Sequence, residues 1–230
     1  MAGPGVMLIT GASTGIGAAT ARQAVAAGWR VVLGARGEER LAELAAALGG
    51  ESAARYRRCD VADWDDQQEL VKLAVDGFGG LDVVFANAGF GAKRGFLEES
   101  VEHWKAMIDT NVLGTALTIR ATLPTFREQG HGQFVLTSSV AGRRALPGSL
   151  YAATKHAVTA MGEGLRQEVS DSDIKVTLIE PGMVDTPFFE NRPNGALEAD
   201  DIASAVMWAI SQPGRVDVNE VLIRPVRQAS

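Results

Sequence analysis

The chain has 230 residues, a mass of 24.3 kDa and a formal charge of −6, from 22 Lys and Arg against 28 Asp and Glu. That length suits one sizeable core, and no linker, repeat or low-complexity stretch divides it, so residues 1–230 read as a single domain. An apolar share of 46% excludes a disordered chain, the acidic balance gives no support for a nucleic-acid partner, and no uncharged run is long enough for a membrane span.

Met1 runs into an apolar segment with no basic leader, and Cys59 is the single cysteine, so a reducing, cytoplasmic setting is expected. Along the chain, the strand-like run Val6–Thr10 is followed by a helical pattern at Gly17–Ala27. Arg30–Gly34 then precedes Glu38–Leu48, and Ala54–Cys59 precedes Trp64–Phe78. Val83–Asn87 leads into a long helical stretch, Val101–Gln129, and Phe134–Ser138 into Tyr151–Val169. Val176–Glu180, a helix at Asp200–Ala209 and Val221–Ile223 complete the series. Short apolar strands alternating with helices of 10–20 residues predict an α/β fold, a doubly wound parallel sheet of seven strands covered by helices on both faces. Strand order is not contained in these patterns. The breaks at Pro181–Gly182, Pro187 and Pro193 make residues 183–200 a loop with at most one or two helical turns, on the substrate side of the sheet.

Thr10-Gly11-Ala12-Ser13-Thr14-Gly15-Ile16-Gly17 follows the first strand and opens a helix. Glycines at 11, 15 and 17 permit a tight turn and close approach of a pyrophosphate to a helix N-terminus. No Lys-Ser/Thr pair follows, which excludes the phosphate loop of P-loop enzymes. This opening, Asn87-Ala88-Gly89, Ser138, Tyr151-x-x-x-Lys155 and Pro181-Gly182 together resemble the short-chain dehydrogenase/reductase family, from about Val6 to Thr186.

The resemblance implies a Rossmann-like fold, an oxidoreductase activity and a dinucleotide held by Gly11, Ser13, Thr14, Gly15, Ile16 and Gly17. Ala35 stands where an acidic residue would meet the ribose of NAD, and Arg36 can pair with a 2′-phosphate, so NADP(H) is expected; Arg40 is a weaker phosphate candidate. Thr14, where other NADP-preferring members often carry a basic residue, argues the other way. The resemblance assigns Asp60 to the adenine edge and Val61 to the ring region, with Asp60 as a helix cap the alternative. Asn87, Ala88 and Gly89 pass beside the cofactor, with Asn87 chiefly architectural. Pro181, Gly182, Val184 and Thr186 hold the nicotinamide side.

Tyr151 and Lys155, four apart in a helix, share one face. The family implies that Tyr151 donates a proton in carbonyl reduction and accepts one in alcohol oxidation, while Lys155 bonds the nicotinamide ribose. An ammonium and an oxidised nicotinamide nearby favour the phenolate. Thirteen positions before Tyr151 lies Ser138, the expected hydrogen-bond donor to the substrate oxygen; Ser139 competes, and the spacing favours Ser138. Asn111 resembles the asparagine that disrupts a helix and holds a water beside Lys155 in a proton relay; a buried amide satisfying nearby backbone is the alternative. His103, His131 and Cys59 form no ligand-spaced cluster, so no metal is expected.

Phe90, Lys93, Arg143, Arg144, Leu146, Met183, Phe188 and Phe189 fall on loops around the expected substrate site, and Lys93, Arg143 or Arg144 is a candidate for a substrate carboxylate. The C-terminal segments Ala199–Ile202 and Val218–Pro225 are similar to a bacterial subgroup of NADP-dependent hydroxy-acid and aldehyde reductases. The expected substrate is therefore a small alcohol or hydroxy acid and its carbonyl form. The resemblance implies a homotetramer, with a dimer next; Ala116, Ile119, Ala157, Val158, Ala160 and Met161 are candidates for its helical contact surface or, alternatively, for packing within the protomer core. A non-catalytic NADP(H)-binding sensor and an epimerase or dehydratase are the competing functions.

Overall fold

Strand β1, Val6–Thr10, is buried at every position. A strand without a solvent face needs cover on both sides, which is the condition of a parallel sheet interior. The computed structural model describes residues 4–188 and 194–228 and supplies that cover. Phe189 and Pro193 lie outside the described residues. β2 (Arg30–Ala35), β3 (Ala54–Arg58), β4 (Val83–Ala86), β5 (His131–Thr137), β6 (Asp173–Pro181) and β9 (Glu220–Ile223) join β1 in a seven-stranded sheet of order β3-β2-β1-β4-β5-β6-β9. All six pairings are parallel.

The two-residue alternation along β1 divides the core. Met7 and Ile9 join Val31 and Leu33 of β2 on one face, under α1 (Gly15–Ala26), α2 (Glu38–Ala47) and α7 (Ala199–Ile210). Val6 and Leu8 join Val32, Val84 and Phe134 on the other, under α3 (Trp64–Phe78), α5 (Gly114–Gln129) and α6 (Leu150–Glu168). Of the two readings open for Val158, a helix surface or the protomer core, the structure shows the core, where it is 1% exposed. Ile119 and Met161 pack against it as partly buried neighbours.

Helix starts follow side-chain chemistry. Asp63 caps α3 by accepting from Asp66 N at 2.9 Å, and Ser149 caps α6 by accepting from Ala152 N at 3.1 Å. α1 differs: Thr14 makes no side-chain cap and the first turn carries no acidic residue, so no side chain offsets its positive N-terminal end.

The long helical stretch is α4 (Val101–Ile108) continued into α5 through one π-turn at Asp109–Leu113. The wider turn carries Asn111, which is 1% exposed. After β6 the described residues of the expected loop carry two short strands. Val184–Asp185 (β7) and Leu197–Glu198 (β8) pair parallel across the base of the 183–200 loop, with Leu197 N donating to Met183 O at 2.9 Å. Glu198 then opens α7 in a capping box with Asp201. No helix among the described residues is long and apolar enough to cross a membrane.

Candidate active site

β1 has β2 on one side and β4 on the other, so the connections leave in opposite directions and open a crevice beyond the strand ends. A cleft of about 750 Å³ lies there, running from Arg36 and Arg40 at one end to Tyr151, Leu146 and Phe188 at the other.

Its floor is the glycine-rich turn. Gly15 has φ +54, and a side chain there would press on Thr186 at 3.1–3.2 Å. A Cβ at Gly17 would sit 2.4 Å from Gly11 O, so only glycine lets α1 start this close to β1. Ser13, Thr14, Gly15 and Ile16 line the cleft at the uncapped helix end. Glycine-bounded space, free N–H groups and a positive helix end fit a pyrophosphate. At the Arg36 end Ala35 closes β2 without a carboxylate, and neither Arg36 nor Arg40 is paired among the described residues.

Asp60 is at the cleft and does not cap α3, which Asp63 does. Asp60 Oδ1 instead accepts from Ala62 N at 3.1 Å. Val61, 6% exposed, packs where a Cβ on Gly114 would meet it. Asn87 ties strands together: its Nδ2 donates to Thr10 O at 3.1 Å, and its Oδ1 accepts from Thr137 Oγ1 at 3.3 Å. Ala88 N donates to Thr10 Oγ1 at 3.2 Å, which fixes the path of residues 87–89 along the cleft.

At the other end α6 presents Tyr151 in its first turn and Lys155 one turn later. Lys155 is 4% exposed, donates from Nζ to Thr137 O at 2.8 Å, and lies 5.8 Å from the centre of the Tyr151 ring. Burial pulls its pKa down to about 8. Burial also pushes the Tyr151 phenol up to about 12, against a side-chain hydrogen bond from Ser139 that lowers it. The ammonium sits at the ring face, and desolvation of the hydroxyl dominates.

Ser138 is not brought to Tyr151. Its hydroxyl donates to Lys155 O at 3.1 Å and meets Thr159 Oγ1 at 2.7 Å, inside the packing of α6. Ser139 is the serine beside Tyr151, whose phenol it helps to hold down in pKa: its hydroxyl donates to Pro181 O at 3.3 Å and caps the short turn Val140–Gly142 by accepting from Ala141 N at 3.1 Å. The available signal was the pattern Ser139-Val140-Ala141-Gly142, a serine capping a turn, which a count of positions to Tyr151 passes over.

The Asn111 amide is satisfied by neighbouring groups, which is compatible with both expectations for it. Its Oδ1 accepts from Phe90 N at 3.0 Å, and its Nδ2 donates to Phe90 O and to Thr154 Oγ1 at 2.9 and 3.1 Å. It nonetheless reaches the site, since a Cβ on Gly89 would stand 3.0 Å from Asn111 Oδ1 and 3.5 Å from Lys155 Nζ. Pro181 and Gly182 line the cleft with Val184 and Thr186. Gly182 N donates to Ile223 O at 2.7 Å, and Thr186 Oγ1 accepts from Phe188 N at 3.3 Å.

Of the substrate-side candidates, Phe90, Arg144, Leu146, Met183 and Phe188 line the cleft. Phe188 stands edge-on to Tyr151 at 5.4 Å. Arg143 is withdrawn: its Nε donates to both Glu180 oxygens at 2.7 Å, and its other end pairs with Glu220. Lys93 is not among the lining residues, whereas its neighbour Arg94, not singled out in the sequence, is. Among the described residues no group of three or more His, Cys, Asp or Glu is placed to hold a metal ion.

A profile of the short chain dehydrogenase family matches residues 5–196. An uncharacterized oxidoreductase of Staphylococcus aureus (strain MW2) is 38% identical over 225 residues, covering 96% of this chain and 97% of the relative. Serine dehydrogenase in its closed form with NADP+ superposes with a TM-score of 0.90 at 30% identity, over 98% of this chain and 96% of the other. A short-chain dehydrogenase/reductase from Burkholderia phymatum in complex with NAD gives 0.86 at 28%, over 95% and 88%. Solved neighbours thus hold nicotinamide cofactors of both kinds. With its parallel sheet, glycine-rich opening and Tyr-x-x-x-Lys helix, the chain belongs to the short-chain dehydrogenase/reductase family of oxidoreductases.

Proposed function

We propose that this protein interconverts a small alcohol or hydroxy acid and its carbonyl form with NADP(H), with Tyr151 as the acid/base group. The observation that carries the reading is the joint placement of Ser139, Tyr151 and Lys155 at one end of a cleft whose other end presents two unpaired arginines. A bound nicotinamide dinucleotide supplies or accepts the hydride. Tyr151 gives its proton to the carbonyl oxygen; its raised pKa keeps the phenol protonated, and the Lys155 ammonium, with the positive nicotinamide formed as hydride leaves, favours release of that proton. The Ser139 hydroxyl, already beside the phenol, donates to the same oxygen as negative charge grows on it. Lys155 holds its positive charge below pH of about 8 and bears on the ribose side and on the phenol. Asn111 acts as a positioning residue, fixing Phe90 against the cleft.

Arg36 takes the 2′-phosphate in a charge-assisted bond, where Ala35 offers the ribose no carboxylate. Ser13 and Thr14 at the uncapped start of α1, with Asp60 and Val61 at the adenine side, complete the dinucleotide site. Residues 183–200 form the substrate-side loop. We place the protein in the cytoplasm as a homotetramer, with a dimer as the second choice. Exposed Val101, Ile108 and Leu113 along one helical run support self-association.

The test is oxidation of NADPH and, alongside, NADH across small aldehydes, ketones and keto acids. Turnover favouring NADPH, lost in Tyr151→Phe, is the expected result. In Arg36→Gln, kcat/KM for NADPH should fall roughly ten- to a hundredfold with that for NADH nearly unchanged. A preference for NADH in the unaltered protein would overturn the 2′-phosphate assignment. Tight NADPH binding without hydride transfer to any substrate would favour a sensor.

A further inference from the structure

The lining of the cleft has a one-sided charge. Its acidic members among the described residues are Glu39 and Asp60, both on the dinucleotide side with Arg36 and Arg40. No other described carboxylate lines the cleft, yet two exposed arginines do, Arg94 and Arg144, the latter on the segment between Ser139 and Tyr151. Neither guanidinium has an ion pair or side-chain hydrogen bond among the described residues. Arg143, one position from Arg144, shows the contrast, because Glu180 and Glu220 neutralise it.

The two free arginines come from separate loops that the backbone holds together. Gly95 N donates to Gly148 O at 2.8 Å. Gly148 has φ +61, and a Cβ there would lie 2.7 Å from Gly95 N, so the two loops touch main chain to main chain. Arg94 precedes one side of this junction, and Arg144 stands four residues before the other. In a protein of net charge −6 an anion meets overall repulsion, so local cations must draw it in.

Resting on the oxidoreductase reading above, we propose that the substrate carries a carboxylate, held at the Tyr151 end of the cleft by Arg94 and Arg144. A guanidinium grips a carboxylate through paired N–H donors in one plane, which fixes the orientation of a small molecule as well as its affinity. The carbonyl or hydroxyl carbon then lies between this anchor and the Ser139–Tyr151 pair. The substrate class is accordingly the oxo acids and hydroxy acids, or aldehydes with a terminal acid group, rather than neutral alcohols.

Two aldehydes of equal chain length, succinic semialdehyde and butanal, differ in the terminal carboxylate and provide the turnover test with NADPH. The unaltered protein should show a kcat/KM for the acid roughly ten- to a hundredfold above that for butanal. Arg144→Gln and Arg94→Gln should each erase most of that advantage, lowering kcat/KM for the acid far more than that for butanal. Equal rates for both aldehydes, or an advantage surviving in both variants, would overturn the proposal while the oxidoreductase reading stands. Binding of malonate to the NADPH-loaded protein, read from the fluorescence of the bound nucleotide, needs no turnover. Saturable binding lost in both variants supports the anionic subsite even if neither aldehyde reacts, the outcome that would count against the oxidoreductase reading. No malonate binding together with no preference for the acid sinks the subsite.

Discussion

Ser139 hydrogen-bonds the phenol of Tyr151, while the hydroxyl of Ser138 is directed into α6, against Lys155 O and Thr159 Oγ1. The two serines adjoin in sequence but face different surroundings, because β5 ends at Thr137 and Ser139 already belongs to the turn that follows. Their alanine variants should therefore separate. Ser139→Ala should lower kcat by about 10²–10³, the range for a lost donor to a developing oxyanion. Ser138→Ala should keep kcat within a few-fold and lower stability by about 1 kcal/mol, from its lost hydrogen bonds. Steady-state kinetics and thermal unfolding of the two variants decide it, and the reverse ranking would restore Ser138 to the reaction.

Lys155 ties function to a stability cost. Its folded pKa of about 8 lies below the ordinary 10.5, so the folded protein binds this proton less tightly than the unfolded chain does. The cost is fully present below pH of about 8 and disappears as pH rises towards 10.5. Its full size is on the order of 3 kcal/mol, offset in part by the bond to Thr137 O. Lys155→Met should therefore raise the melting temperature at pH 7, show no such gain near pH 10.5, and lose nearly all turnover. A lower melting temperature at pH 7 would contradict this assignment.

Arg143 has a structural task that its neighbour lacks. Glu180 is 0% exposed, burial raises its pKa, and the Arg143 guanidinium opposes that rise. Arg143→Met leaves a buried carboxylate without its cation, at a cost of about 3 kcal/mol at pH 7. The Glu180 pKa then climbs further above its ordinary value, so the loss grows as pH rises through the carboxylate range and shrinks towards pH 4. Adding Glu180→Leu should recover much of the stability, since no buried charge remains. Melting curves at two pH values for the single and double variants test this, and a pH-independent loss would point to packing alone.

Much of this protein is legible from local chemistry. The alternation of strands and helices, the glycine turn at 11–17 and the Tyr151–Lys155 spacing depend on periodicity, φ and one helical face, which neighbouring residues set among themselves. The adjacency of Asn111 to the helix irregularity was readable for the same reason, though the use of its amide was not. Strand ends shifted by a residue or more, as in β5 and β6, because ladder pairing with a neighbour extends a strand past its own apolar run.

The tertiary structure alone decided the strand order, which of Ser138 and Ser139 stands beside Tyr151, and the pairing of Arg143 but not Arg144. Each depends on partners far along the chain: Pro181 beside Ser139, Glu180 and Glu220 around Arg143, and Gly95 against Gly148. In irregular loops no period ties a side chain's direction to its position in sequence. A single residue's difference in where a turn begins therefore redirects a hydroxyl from helix packing to the reacting end of the cleft.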